Sequence, residues 1–274
     1  MSSLQTPELS RGDIRFLLST VEPSLLERID VVSGDPDIIE SLMESGARKV
    51  CRRIQLLDEN ELTTNITPRF LFEVLLRTAR LELMERGYTV ERSSTMKVPV
   101  FDSGDVVQFL RDNEMVRYLA DMLTSFTKIR SYTVPVRVRK GIWRRIRYND
   151  MDIDSLLRYS QTVGEESRFK TYKRIADLCL FMTGMFPEHV TPVLTGTFYP
   201  GGTSRRRRRT AQDYIDEGRR FYKLAGEHPD GAAAGLSQVF LQLHEQFDIA
   251  RKPLNYISEN LIRFQKVKLF PSSS

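Results

Sequence analysis

Along this 274-residue chain the apolar positions recur mostly at helical spacing. The densest apolar stretch runs from Phe169 to His189, and between Ile175 and Met182 its only polar side chain is Asp177. A helix over about 165–184 is therefore apolar almost all round and belongs inside the fold, with Phe169, Tyr172, Ala176, Cys179 and Met182 along one side. Glu165 and Glu166 suit its N-terminal end, and Gly184 followed by Pro187 punctuates the other. A carboxylate in such a helix needs a partner or a proton. Arg174 and Lys173 lie within reach one turn earlier, so Asp177 and Arg174 are read as a buried charge pair with a structural role.

Ahead of this helix the pattern predicts short helices in series. Ser10 caps one with Ile14, Leu17, Leu18 and Val21 on its face, and Leu25, Leu26 and Ile29 mark a second segment. The turn Gly34-Asp35-Pro36-Asp37 leads into a helix through Ile38, Ile39, Leu42 and Met43 that is expected to end near Gly46, with another marked by Val50, Ile54 and Leu57. Thr67 and Pro68 open a long helix from Arg69 to about Arg86, stopped by Gly87. Arg69, Glu73 and Arg77 fall four apart on it, a ladder of salt links expected on the solvated side. From Tyr88 to Phe101 the period shifts toward two, which predicts weak extended segments, and a helical stretch from Val106 to Phe126 breaks near Asn113.

The sharpest alternation is at about 132–148. Tyr132, Val134, Val136 and Val138 alternate with Thr133, Pro135, Arg137 and Arg139; Lys140-Gly141 turns; Ile142, Ile146 and Tyr148 alternate with Trp143, Arg145 and Arg147. This is a β-hairpin with one face apolar apart from Arg144 and the other carrying Arg137, Arg139, Trp143, Arg145 and Arg147. The three alternating aspartates of Asn149 to Asp154 invite a calcium-loop reading. The loop's other requirements fail, since Ser155 stands where Gly is needed and Gln161 where a bidentate Glu is needed. One of the aspartates is expected to cap a helix over Ser155 to Val163 instead.

Val190 to Thr210, rich in Gly and Pro, ends in Arg205, Arg206, Arg207, Arg208 and Arg209 and reads as an exposed connection. Beyond it Ala211 to Ala225 and Ala232 to Phe247 form a C-terminal helical hairpin, and a closing helix runs from Leu254 to about Phe264. With Gly218 between Tyr214 and Phe221, this pair resembles a single tetratricopeptide-type helical hairpin. No second copy recurs at a fixed period. The expected fold is mainly α, a multi-helix domain around a central buried helix, with a small β-hairpin insertion. It divides into an N-terminal half, 1–149, and a C-terminal half, 150–274, that share one core.

Composition adds limits. A 41% hydrophobic and 28% charged chain is an ordinary globular one. No apolar run of membrane-spanning length occurs and the start has no secretory pattern, so no membrane is expected and the location is read as cytoplasmic. Cys51 and Cys179 read as reduced core residues, not a metal pair. The three histidines, His189, His228 and His244, have no zinc spacing, and His244 with Asp248 reads as a packed pair. No nucleophile elbow, P-loop or dinucleotide fingerprint is present, so no cofactor, no metal and no catalytic residue is assigned.

The net charge of +5 is clustered: the first 46 residues are acidic, and between Lys128 and Arg147 there are eight basic residues and no acidic one. Two function classes remain. The first is a non-enzymatic interaction or regulatory protein, adaptor-like, with a protein partner in a groove between helices. The alternative is a nucleic-acid-binding protein using Arg137, Arg139, Trp143, Arg145, Arg147 and the five-arginine run. A purely structural reading of both basic features is a solvated face, or an arginine tract held by the acidic N-terminal helices, in cis or across a dimer, which would make the chain a homo-oligomer.

Overall fold

The protein was analysed as a computed structural model, in which the described residues are 9–92, 96–128, 131–139, 142–190, 209–262 and 269–270, with the backbone alone described for 131–139 and 142–148. The fold is mainly α, as the spacing predicts, and its strands form two separate antiparallel ribbons. No helix among the described residues is long and apolar enough to cross a membrane. Two compact units are present, Met1–Tyr88 with Asp102–Thr127, and Thr89–Phe101 with Lys128–Ser274. By contact, then, the predicted hairpin groups with the C-terminal unit.

The first unit holds α1 (Arg11–Val21), a 3-10 turn (Pro23–Arg28), α2 (Ile29–Ser33), α3 (Pro36–Leu56), α4 (Glu59–Asn65), α5 (Pro68–Arg86), α6 (Ser103–Phe109) and α7 (Asn113–Ser125). Its interior is α5, where Phe70, Leu71, Phe72, Val74, Leu75, Leu76, Ala79 and Leu83 are all buried. Thr67 Oγ1 accepts from the Phe70 backbone N–H at one end, and Gly87, at φ 76°, closes the other in the left-handed region that suits a residue without Cβ. Asp13 ties the caps of α1 and α5 together: fully buried, it accepts from the Ser10 N–H at 3.0 Å, the Thr67 N–H at 2.7 Å and the Thr67 hydroxyl at 2.9 Å.

Two expectations fail in this unit. Gly46 does not end a helix; α3 runs through it without a break. A Cβ there would meet Val21 Cγ2 at 2.3 Å, so the glycine is where α3 approaches the end of α1. Nor does the Arg69, Glu73, Arg77 ladder face solvent. The Arg77 side chain is 0% exposed, its Nη1 donating to Glu73 at 2.7 Å and its Nη2 to Glu40 at 2.5 Å. Arg117 of α7 donates to the second oxygen of Glu40 at 2.9 Å, Arg80 pairs with Glu44, and Arg69 donates to Asp121 at 2.7 Å. Spacing of four is common to a solvated and an interior ladder, and the acids that make this one tolerable inside come from α3.

Burial works against the charge on Glu40, but Arg77 and Arg117 outweigh it and hold the carboxyl below the usual range; Glu40 and Glu73 likewise outweigh burial and hold Arg77 above its own. A depressed carboxylate pKa contributes stability that is full above the unfolded value, about 4.3, and is lost as pH falls through the lower folded one. Glu40→Gln is therefore expected to lower stability at pH 7 and to flatten its decline between about pH 5 and 3, read by urea unfolding at each pH. Arg77→Ala, which takes from the buried Glu73 its 2.7 Å partner and from Glu40 one of its two arginines, is expected to cost about 3 kcal/mol in the same measurement.

The second unit holds β1 (Thr89–Arg92), β2 (Lys97–Val100), β3 (Ser131–Arg139), β4 (Ile142–Asn149), α8 (Ile153–Ser160), α9 (Glu165–Met185), α10 (Pro187–Val190), α11 (Ala211–Gly226), α12 (Pro229–Ala233), α13 (Ser237–Glu245), α14 (Phe247–Tyr256) and a π turn (Ile257–Leu261). The predicted central helix is α9, buried from Ile175 through Phe181 and packed by α8, α11 and α14. The weak extended segments are β1 and β2, paired from Thr89 with Val100 to Arg92 with Lys97. Lys252 of α14 holds Glu91 of β1 at 3.0 Å.

The C-terminal hairpin departs from its predicted form. Gly235, at φ 68°, separates the short α12 from α13, and the closing helix begins at Phe247, ahead of the predicted Leu254. Phe247, the first residue of α14, packs against Gly218 of α11, where a Cβ would sit 2.4 Å from its ring and 2.9 Å from Cys179 Cβ. Gly218→Ala is expected to destabilise the protein by about 1–3 kcal/mol, seen as a lower urea midpoint.

Candidate functional site

Strands β3 and β4 pair along most of their length, Ser131 with Asn149, Tyr132 with Tyr148, Thr133 with Arg147, Val134 with Ile146, Pro135 with Arg145, Val136 with Arg144 and Arg137 with Trp143. Successive rungs of a ribbon alternate between its faces. The rungs of Arg147, Arg145 and Trp143 with Arg137 thus share one face, and those of Tyr132, Val134 and Val136 share the other. The register shifts between Arg137 and Arg139, bringing Arg139 opposite Ile142. A strict alternation would have kept it in step with Arg137.

Of the five-arginine run, Arg205, Arg206, Arg207 and Arg208 lie outside the described residues. Arg209 is anchored: its Nε and Nη2 donate to Asp154 Oδ1 at 2.9 and 2.8 Å. Burial opposes its charge, but Asp154 outweighs this and raises the guanidinium pKa above the ordinary value. The partner is thus an acid of α8, not one of the N-terminal helices. The neighbouring aspartates are also engaged. Asp152 caps α8 by accepting from the Asp154 N–H at 3.1 Å, and Asp150 binds Arg174 at 2.7 Å. Among the described residues no group of three His, Cys, Asp or Glu side chains is placed to hold a metal ion.

Asp177 and Arg174 are both largely buried but serve different partners. Asp177, 1% exposed, accepts from Lys173 Nζ at 2.6 Å and from the Tyr222 hydroxyl of α11 at 3.0 Å. Arg174, equally within reach of Asp177 by spacing, donates instead to Asp150 at 2.7 Å. His244 and Asp248 are separated by the break between α13 and α14: His244 Nδ1 lies 3.0 Å from the Arg219 carbonyl, and Asp248 accepts from Arg219 at 2.5 Å and Arg251 at 2.6 Å. A cavity of about 240 Å³ in the second unit is lined by Glu91, Thr183, Gln212, Ile215, Arg251 and Lys252 among others, and its charges are joined, Lys252 to Glu91 and Arg251 to Asp248.

Sequence reasoning missed Glu40, Glu44, Arg117 and Lys252 as members of ion pairs between elements. No local signal marks them, since each partner lies on another element. Compared with known proteins, the chain matches no family model, and no curated protein and no solved structure is significantly similar to it.

Burial pushes the Cys51 thiol up to about 11 and the Cys179 thiol well above its ordinary value. Both stay protonated at neutral pH. A thiol-disulfide reagent at pH 8 is expected to label neither cysteine in the native protein within minutes and to label both in urea; fast labelling of the native protein at either position would contradict this.

Proposed function

We propose that the chain is a non-enzymatic nucleic-acid-binding protein whose contact surface is the β3–β4 ribbon. One observation carries the reading, the register that sets Arg147, Arg145 and Arg137 with Trp143 on consecutive rungs of one face. Its charge is unbalanced. The eight basic residues between Lys128 and Arg147, with no acid among them, exceed the whole chain's net charge of +5. Phosphates neutralise such a stripe and release counterions as they do so, and a tryptophan within it can stack on a base. Arg205 to Arg208 would add further phosphate contacts.

A second reading, an adaptor-like protein with a protein partner, is favoured by a different feature of the same unit. Met96, Val98 and Phe101, in and beside β2, are 66%, 43% and 84% exposed, an apolar surface of the kind that partners cover.

Binding to mixed-sequence DNA and RNA at about 50 and 200 mM salt separates the two. The nucleic-acid reading expects binding at low salt, a loss of affinity of about tenfold or more at high salt, and a large loss on Arg145→Glu with Arg147→Glu. If neither polymer binds at low salt, that reading falls.

A further inference from the structure

The geometry points to double-stranded DNA, entered through its major groove, as the ligand of the β3–β4 ribbon. This rests on the nucleic-acid reading above and narrows it. The ribbon is two strands wide and long, nine residues in β3 and eight in β4. A two-stranded ribbon enters the B-form major groove, about 12 Å wide, without the widening that the minor groove, about 6 Å wide, would need. The A-form major groove of duplex RNA is too deep and narrow to admit it.

Spacing supports the same ligand. Same-face rungs of a ribbon recur every ~6.7 Å, twice the rise per residue, and each strand of B-DNA presents a phosphate every ~3.4 Å of axis. The Thr133–Arg147, Pro135–Arg145 and Arg137–Trp143 rungs thus step along the groove at about one rung per two base pairs. Two-stranded ribbons carry a strong twist from right-handed strands, which lets one follow a right-handed groove, and the register shift after Arg137 increases that twist. A single-stranded ligand asks for something else, a succession of aromatic platforms. On the basic face the three rungs supply Trp143 alone, while Tyr132 and Tyr148 pair on the other face.

The test uses the full chain and four labelled 20-mers of one sequence: duplex DNA, single-stranded DNA, duplex RNA, and duplex DNA whose cytosines carry 5-glucosyl-hydroxymethyl groups that fill the major groove. Binding is followed by fluorescence anisotropy, with and without the minor-groove ligand netropsin, and circular dichroism checks that Arg145→Glu with Arg147→Glu is folded. The expected result is duplex DNA bound about tenfold or more tightly than the other three, as loss of base-edge contacts implies, with little effect of netropsin and loss of binding in the variant. Equal binding of duplex RNA or single strands, or indifference to glucosylation, overturns the groove assignment while leaving the nucleic-acid reading in place, provided the variant still loses affinity. If no polymer binds, or the variant binds like the native chain, both fall.

Discussion

A charge taken out of water must find its opposite or be given up, and each unit of this protein is arranged around that requirement. Its two interior helices, α5 and α9, are buried along their central stretches, yet each carries ions there: Arg77 and Glu73 on one, Asp177 on the other. The neighbours are therefore constrained in more than shape. In the first unit α3 must present Glu40 and Glu44, and α7 must present Arg117, at the faces of α5 where Arg77 and Arg80 emerge. In the second, α11 must bring the Tyr222 hydroxyl to Asp177 while the turn before α8 brings Asp150 to Arg174. Hydrophobic burial would tolerate a range of helix rotations; ion pairs at 2.5–2.9 Å tolerate few.

The same requirement sorts the groups that serve the fold from those left to act on something else. The carboxylates and thiols singled out in the sequence are engaged by the fold. Asp177 is neutralised by Lys173, Asp150 and Asp154 answer Arg174 and Arg209, and both thiols are held protonated by burial. The stretch from Lys128 to Arg147 is different in kind, because it supplies cations with no acid of its own. The register of β3 with β4 gathers part of that stripe on one face of the ribbon, and the nucleic-acid proposal rests on that placement.

Much of the local structure was legible from residue types with a direct backbone consequence. Ser10 before an amphipathic run, Thr67-Pro68 at one end of α5 and Gly87 at the other, and Asp152 ahead of α8 each answer unpaired N–H or C=O groups at a helix end, a need settled within a few residues. Period-two alternation likewise gave β3 and β4, and the lack of polar positions gave α9. Where the reading failed, a distant residue had decided. Gly46 looks like a helix stop until Val21 is seen packed on it, and Gly218 is a close approach for the Phe247 ring that spacing within α11 does not announce.

The sequence by itself determined that the fold is mainly helical, where α1, α5 and α8 begin, that β3 pairs with β4, and which helix in the second unit is interior, because propensity, capping and apolar periodicity act over one or two turns. Only the tertiary structure decided where the charges go. It buried the Arg69, Glu73, Arg77 ladder that spacing places in solvent, and it joined Asp177 to Lys173 and Tyr222 while sending Arg174 to Asp150. The physical reason is that an ion's environment is set by whatever folds over it: Asp150 lies 24 residues from Arg174, and Tyr222 lies 45 from Asp177.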